Sequence, residues 1–289
     1  MVTNAHLKTN FDQKRIWITG ASSGIGEALA LQLDQYGAHL ILSARNQDEL
    51  QRVANRCGPN TIVLPLDVTN RQQVDEAVAL VGTNLDCLIL NAGAGQLQPA
   101  MDSTIQNAEQ LFQINALAPI YMAHQVLNHC WSGTLKHRGG HLVVTSSVAS
   151  KLAVPLSAAY AASKHAVHGY FRSLRSECPW LRIDLPCPGP TQTNFFKTPA
   201  QANEMKMPVD RCARLILVSM TMRQDGERWI AQHPTLFFLF LQQYFPGLAT
   251  RIVNKLGPIR LKLFDAGLNL YDPSSFSKLK ALEKDERKK

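Results

Sequence analysis

Tyr160 and Lys164 stand four residues apart in the apolar-periodic stretch YAASKHAVHGYF, a spacing that places both side chains on one helical face. A phenol has a pKa of ~10 and is a poor base at neutral pH, but a neighbouring ammonium stabilises its phenolate. Lowering it by ~2–3 units takes roughly 3–4 kcal/mol of differential interaction, within reach of one close cation and a second positive charge. Ser147 ends a β-like run upstream of Tyr160, with Ser146 beside it. A hydroxyl there is placed to hold a carbonyl oxygen while Tyr160 exchanges a proton with it. Asn115 is a polar residue in an apolar helical stretch, either a satisfied buried amide or a further member of this set. A lone Tyr-x-x-x-Lys pair is usually helix surface, so its meaning rests on its surroundings.

Those surroundings include TGASSGIG at 19–26, which follows an apolar run and opens an amphipathic helix. Gly20, Gly24 and Gly26 let the backbone turn and approach a pyrophosphate. Ser22, Ser23 and Ile25 share that turn, whose free N–H groups and positive helix end meet the phosphate charge. The spacing is GxxxGxG, not GxGxxG. Where an NAD-binding chain usually places an acid, the sequence reads Ser43-Ala44-Arg45. An acid repels a 2′-phosphate, whereas a guanidinium pairs with one through two charge-assisted hydrogen bonds. Arg45 therefore favours NADP(H), the plain alternative being a surface arginine. Asp67-Val68 and Asn91-Ala92-Gly93 follow the third and fourth apolar runs, at the edge where open α/β sheets bind ligands. Asp67 is placed to accept from an adenine amino group, and Gly93 lets the chain pass close to a ribose.

Elements able to position these residues are legible. β-like runs occur at 15–19, 39–43, 61–65, 85–90, 141–145 and 182–187, each separated from the last by room for a crossover helix. Helical patterns at 27–36 and 47–56 fill the first two gaps, and Trp229-Ile230 is a candidate last strand. This alternation predicts an α/β fold: a doubly wound parallel sheet of Rossmann type in three α/β/α layers, with right-handed connections. We read 1–14 as a polar tail and 15–232 as one domain containing a substrate loop at 192–208. Residues 233–272 read as a helical, apolar and basic extension of that domain, and 273–289 as a charged tail.

The 289 residues are 45% hydrophobic and 18% charged, which excludes a disordered or fibrous chain. Thirty Lys and Arg against twenty-two Asp and Glu give +8. Ten basic and five acidic residues lie in 251–289, so +5 of that charge belongs to the end of the chain and no nucleic-acid face is expected. The six cysteines have no CxxC or metal-ligand spacing and read as reduced thiols, with no metal site. No apolar run of secretory length opens the sequence, and none approaches the ~20 residues of a spanning helix.

Taken jointly, TGASSGIG, Asp67-Val68, NAG at 91–93, Asn115, the serine pair 146–147, YAASK and PGPTQT resemble the short-chain dehydrogenase/reductase family in order and approximate spacing, over about residues 15–223. The resemblance implies a catalytic set of Asn115, Ser147, Tyr160 and Lys164. In it Lys164 also bonds the nicotinamide ribose and Asn115 helps hold a proton-relay water. It further implies that Pro188, Gly189, Pro190, Thr191 and Thr193 pass the nicotinamide carboxamide, and that Arg45 selects NADP(H). The implied reaction is reversible hydride exchange between nicotinamide C4 and a carbonyl or alcohol carbon, in a homodimer or homotetramer paired through the middle helices around 106–128. A 3-ketoacyl-thioester reductase shares the same set, and a non-catalytic nucleotide-binding interaction protein is the alternative outside enzymes.

The substrate is less legible. Phe195, Phe196, Met205 and Met207 punctuate the polar loop 192–208, either as anchors for an apolar substrate or as core. The run PTLFFLFL and the basic residues to 262 resemble the extension of lipid- and steroid-handling members, the member-seven dehydrogenase/reductase group among them. Such relatives often carry an amino-terminal membrane anchor that this sequence does not display. The expected substrate is a steroid, retinoid or lipid-like carbonyl or alcohol, and the expected place cytoplasmic. Residues 235–262 then either touch a membrane surface or pack on the cleft or a partner subunit.

Overall fold

The computed structural model describes residues 2–132, 139–152, 154–195, 206–270 and 272–286. Seven strands form one parallel sheet: β1 (Arg15–Thr19), β2 (His39–Ser43), β3 (Thr61–Val63), β4 (Cys87–Leu90), β5 (His141–Val144), β6 (Arg182–Pro188) and β7 (Gly226–Ile230). Their order is β3-β2-β1-β4-β5-β6-β7, so the winding reverses between β1 and β4. That reversal opens a crevice at the carboxyl ends of the two strands, where ligands of open α/β sheets bind.

Successive side chains point to opposite faces of a strand, and both faces are buried. Ile16, Ile18, Leu40 and Leu42 enter one core, with residues of α2 (Gly24–Gln35) and α8 (Val209–Met220). Trp17, Ile41, Leu88 and Leu90 enter the other, with α4 (Arg71–Val81), α6 (Ala118–His129) and α7 (Ala158–Glu177). α3 (Gln47–Ala54) and α5 (Ile105–Phe112) complete the layers, started by the side-chain caps of Asn46 and Thr104. The expected three-layer sandwich is present.

Both ends of the chain depart from the reading as tails. At the first, α1 (Asn4–Phe11) is capped by Thr3 and buries Leu7 and Phe11 in the core. Arg214 Nη1 donates to Asn4 Oδ1 at 2.7 Å and to the Tyr36 hydroxyl at 3.0 Å, tying this helix to α8 and to the residue after α2. Two apolar residues one turn apart are too few to announce a helix by periodicity; the core they enter beside α2 and α8 stabilises it. At the other end, α9 (Thr235–Tyr244), α10 (Pro246–Asp265) and α11 (Pro273–Glu286) follow the sheet. Within the expected charged tail, α11 buries Leu279 and Ser275, and Lys262 pairs with Glu283 at 2.6 Å to join it to α10. No described helix is long and apolar enough to cross a membrane.

Candidate active site

The glycine-rich turn is shaped by steric demands at two positions. Gly20 has φ +66°, and a Cβ there would lie 2.8 Å from Ala92 Cα. A Cβ on Gly26 would lie 2.1 Å from the carbonyl oxygen of Gly20, which leaves no room for any side chain. Ser23 precedes α2 without bonding its first turn through the hydroxyl, so the turn keeps donors for an incoming anion. The turn is fixed to β4 by Thr19, whose Oγ1 accepts from Asn91 N at 3.0 Å and Ala92 N at 3.1 Å. Asn91 Nδ2 in turn donates to the carbonyls of Thr19 and Gly20, both at 3.3 Å. Thr19 was not singled out in the sequence, although a hydroxyl at the end of a strand was the available signal.

Arg45 is exposed on the rim of the cleft and, among the described residues, enters no ion pair. Nearby, Arg52 donates to the Ser22 carbonyl at 3.1 Å and to Glu27 at 2.8 and 2.9 Å, while Arg56 reaches Glu27 at 2.6 Å. The hydrogen bond from Arg52 is the main reason the Glu27 carboxyl stays below its ordinary range. Sequence reasoning missed this brace, because its partners lie on two helices whose contact no local pattern specifies. Asp67 is oriented by its own turn: Oδ1 accepts from Thr69 N at 2.9 Å and Thr69 Oγ1 at 2.7 Å. Val68, Asn91, Ala92 and Gly93 line the cleft with it.

At the chemical end, α5 runs into α6 through a single π turn, Gln113–Leu117. The extra residue of such a turn re-aims a side chain, and here Asn115 is turned inward to 1% exposure. Its Nδ2 donates to Ala94 O at 2.9 Å and Ser163 Oγ at 3.1 Å, and its Oδ1 accepts from Ala94 N at 2.9 Å. Asn115 therefore lies behind the cleft wall, bracing Ala94, whereas Ser147, Tyr160 and Lys164 line the cleft itself. The satisfied-amide alternative describes its geometry.

Lys164 is buried, donates to Thr145 O at 3.0 Å and holds its ammonium 6.0 Å from the Tyr160 ring centroid. Burial pulls its pKa down to about 8. Gly93 lets the wall pack on Asn115: a Cβ there would crowd Asn115 Oδ1 at 2.9 Å, while Lys164 Nζ would lie at an ordinary 3.8 Å. Ser147 opens the short turn Val148–Ser150, and its Oγ accepts from Ala149 N at 3.1 Å while its hydroxyl proton stays available. Tyr160 meets the edge of Phe195 at 5.8 Å between centroids.

These groups share one cleft of about 1120 Å³ with the glycine-rich turn, Pro188, Gly189, Thr191 and Thr193. Thr191 pairs with Met207, which is buried in the core under α2 and α8 instead of anchoring a substrate. Phe195 does line the cleft, and Phe196 and Met205 lie outside the described residues. The far wall is built by Phe238 of α9, Val253, Leu256 and Phe264 of α10, and Phe276 of α11. Phe237 and Phe240, at 50% and 52% exposure, point away from it, so the aromatic run of α9 divides between two surfaces.

Comparison with known proteins agrees with this geometry. The chain is 36% identical over 279 residues to human dehydrogenase/reductase SDR family member 7, covering 88% of this chain and 80% of that protein. It is 32% identical over 256 residues to an Arabidopsis thaliana protein named 11-beta-hydroxysteroid dehydrogenase-like 3, covering 83% and 79%. Among solved structures, an alcohol dehydrogenase from the archaeon Thermococcus sibiricus, complexed with 5-hydroxy-NADP, superposes with a TM-score of 0.69 at 25% identity, covering 77% of this chain and 99% of the other. The family model described as short chain dehydrogenase matches residues 14–204. With the reversed parallel sheet, the glycine-rich turn at its crevice and Tyr160 and Lys164 on one wall, these matches place the chain in the short-chain dehydrogenase/reductase family of nicotinamide-dependent oxidoreductases.

Proposed function

We propose that this chain is an NADP(H)-dependent oxidoreductase that interconverts a carbonyl and an alcohol on an apolar small molecule. The observation carrying the reading is the buried Lys164 ammonium 6.0 Å from the Tyr160 ring, on the wall of a cleft continuous with the glycine-rich turn. The residues fit a dinucleotide: Gly20 and Gly93 leave backbone approaches that a Cβ would close, and α2 offers its first turn to an anion. Arg45 stands at the rim for a 2′-phosphate and Asp67 beside it for the adenine, with the segment Pro188 to Thr193 at the nicotinamide end. When bound, the nicotinamide supplies or accepts the hydride.

The chain's own residues orient the substrate and move the proton. Ser147 donates its hydroxyl hydrogen to the carbonyl oxygen. Tyr160 gives its phenolic proton to that oxygen in reduction and takes it back in oxidation. Lys164, fixed by the Thr145 carbonyl, favours the phenolate that remains and reaches toward the nicotinamide ribose. Asn115 acts as a positioning residue, holding Ala94 through its backbone N–H and carbonyl behind the wall that carries Lys164. The apolar far wall supports a hydrophobic substrate such as a steroid, retinoid or lipid-derived ketone.

The same reading assigns a homodimer or homotetramer, and a peripheral position on a membrane surface through 235–262. In support of the latter, Phe237, Phe240, Tyr244 and Phe245 are exposed together, and Arg251 and Lys255 follow on α10. NADPH oxidation with a panel of apolar ketones tests the reaction, alongside Tyr160→Phe. Turnover is expected to fall about a thousandfold with NADPH affinity little changed; normal turnover by the Phe variant removes the assigned proton donor.

A further inference from the structure

Two separate anchors hold the glycine-rich turn. Its inner end, at Gly20, is clamped to β4 by Thr19 and Asn91. Its outer end is held from α3, where Arg52 Nη2 donates to the Ser22 carbonyl at 3.1 Å. A trans peptide keeps its C=O and N–H on opposite sides, so this bond turns the Ser23 N–H away from α3. Ser22 and Ser23 both line the cleft. The end of β2 lies against the same turn, because Ala21 N donates to Ser43 O at 3.1 Å. Arg45 and Asn46 come just after it, line the cleft and lead into α3, whose first turn Asn46 caps by accepting from Glu49 N at 3.1 Å. Arg52 thus ties together two strips of cleft wall, Ser22–Ser23 and Arg45–Asn46.

Every nitrogen of the Arg52 guanidinium is spent on the protein itself. Nε donates to Glu49 at 2.8 Å, and Nη1 and Nη2 donate to the two oxygens of Glu27 at 2.8 and 2.9 Å. Glu27 lies in the first turn of α2 with its side chain 18% exposed, and it also receives Arg56 at 2.6 Å. Single exposed ion pairs contribute little, but two-pronged geometry and a network of shared partners are the exceptions, and both occur here. The two guanidiniums also cancel a carboxylate that would otherwise repel an anion at this helix end. Arg45, the residue assigned to a 2′-phosphate, belongs to one of the strips that Arg52 joins. The pyrophosphate common to both nucleotides is left to the separately clamped inner end and to α2. We infer that Arg52 is a positioning residue for cofactor choice: it fixes the spacing of the two strips and so sets the preference for a nucleotide bearing a 2′-phosphate. The inference rests on the NADP(H) reading above and adds to it a determinant that touches no ligand.

Fluorescence titration of the protein with NADPH and with NADH reads the ratio of the two affinities without turnover, and a denaturant melt of each variant reports its folding. Arg52→Leu is expected to weaken NADPH about tenfold, the scale of a hydrogen bond to a charged group, and NADH by about twofold or less. Arg52→Lys keeps the charge without the planar fork and is expected to lose most of the preference as well. Glu27→Ala makes the rim more positive, yet it is expected to lower the NADPH-over-NADH ratio, because the guanidinium loses the partner that aims it. A ratio kept by Arg52→Lys, or unchanged or raised by Glu27→Ala, makes Arg52 a mere charge and overturns the inference. Equal weakening of both nucleotides by Arg52→Leu overturns it too. A natural chain that binds NADH as tightly as NADPH overturns the NADP(H) reading and this inference with it; a natural preference that survives in all three variants overturns the inference alone.

Discussion

The two ends of the cleft are built on different principles. Around the glycine-rich turn, backbone meets backbone: the absent Cβ of Gly26 faces the Gly20 carbonyl at 2.1 Å, and Thr19 and Asn91 clamp the turn to the next strand through four hydrogen bonds. Under α9, α10 and α11 the wall is made of side chains from helices appended after the sheet, and a Cβ on Gly257 of α10 would meet Pro155 Cγ at an ordinary 3.8 Å. One end tolerates no added atom, and the other has space to change. A ligand common to many reactions suits the first construction, and a ligand particular to one chain suits the second.

That contrast is open to direct attack. The largest effect is expected from Gly26→Ala, whose methyl group forces the turn apart: NADPH binding is lost and the protein destabilised by several kcal/mol, on the order of an overpacked core. Fluorescence titration of NADPH and a denaturant melt measure both; near-normal values would mean the turn is as forgiving as the helical end. The matching change Gly257→Ala is expected to leave NADPH binding unchanged and stability within ~1 kcal/mol, because its methyl group meets no distant atom closer than Pro155 Cγ and the helix-propensity gain is offset by crowding against Pro258, the next residue of α10.

At the junction of the two ends, the pH dependence of turnover sharpens the assignment of Lys164. Its pKa lies at about 8, below that of an ordinary lysine, because the ammonium is buried. The charged form therefore predominates below about pH 8 and is lost above it, so kcat/KM for reduction is expected to fall as pH rises through that value. A profile flat from neutrality to pH 10 would detach Lys164 from the proton step.

Cofactor choice tests the nucleotide rim. Arg45→Glu is expected to lower the NADPH-over-NADH preference by about tenfold or more, since a carboxylate repels the 2′-phosphate the guanidinium attracts. An unchanged ratio would return Arg45 to plain surface. The smallest effects belong to the outer face of α9. Phe237→Ser with Phe240→Ser is expected to leave stability within ~0.5 kcal/mol and turnover unchanged while weakening flotation with anionic vesicles; Phe238→Ser is expected to raise KM for apolar ketones without touching flotation. Should the two variants behave alike, the division of that helix between two surfaces is wrong.

Legibility follows the same divide. The glycine-rich turn, the Tyr160–Lys164 pair and the strands were readable because each is a local demand: a φ that only glycine adopts easily, a four-residue helical repeat, a run of apolar residues. Asn115 could be placed in a helix but not in its π turn, because nothing local distinguishes an inserted residue from a regular one. The Glu27–Arg52–Arg56 brace joins helices that meet only after the sheet assembles, and α1 and α11 owe their order to surfaces supplied by distant residues.

The sequence alone determined the layered α/β architecture, the glycine-rich turn at its crevice and the four-residue spacing of Tyr160 and Lys164. These depend on backbone sterics and on neighbours within a few positions. Tertiary structure alone decided that Asn115 supports the wall, that Phe238 faces inward while Phe237 and Phe240 face out, and that Arg52 reaches the glycine-rich turn. A helix's rotation about its axis is fixed by what it packs against, and that partner lies far away along the chain.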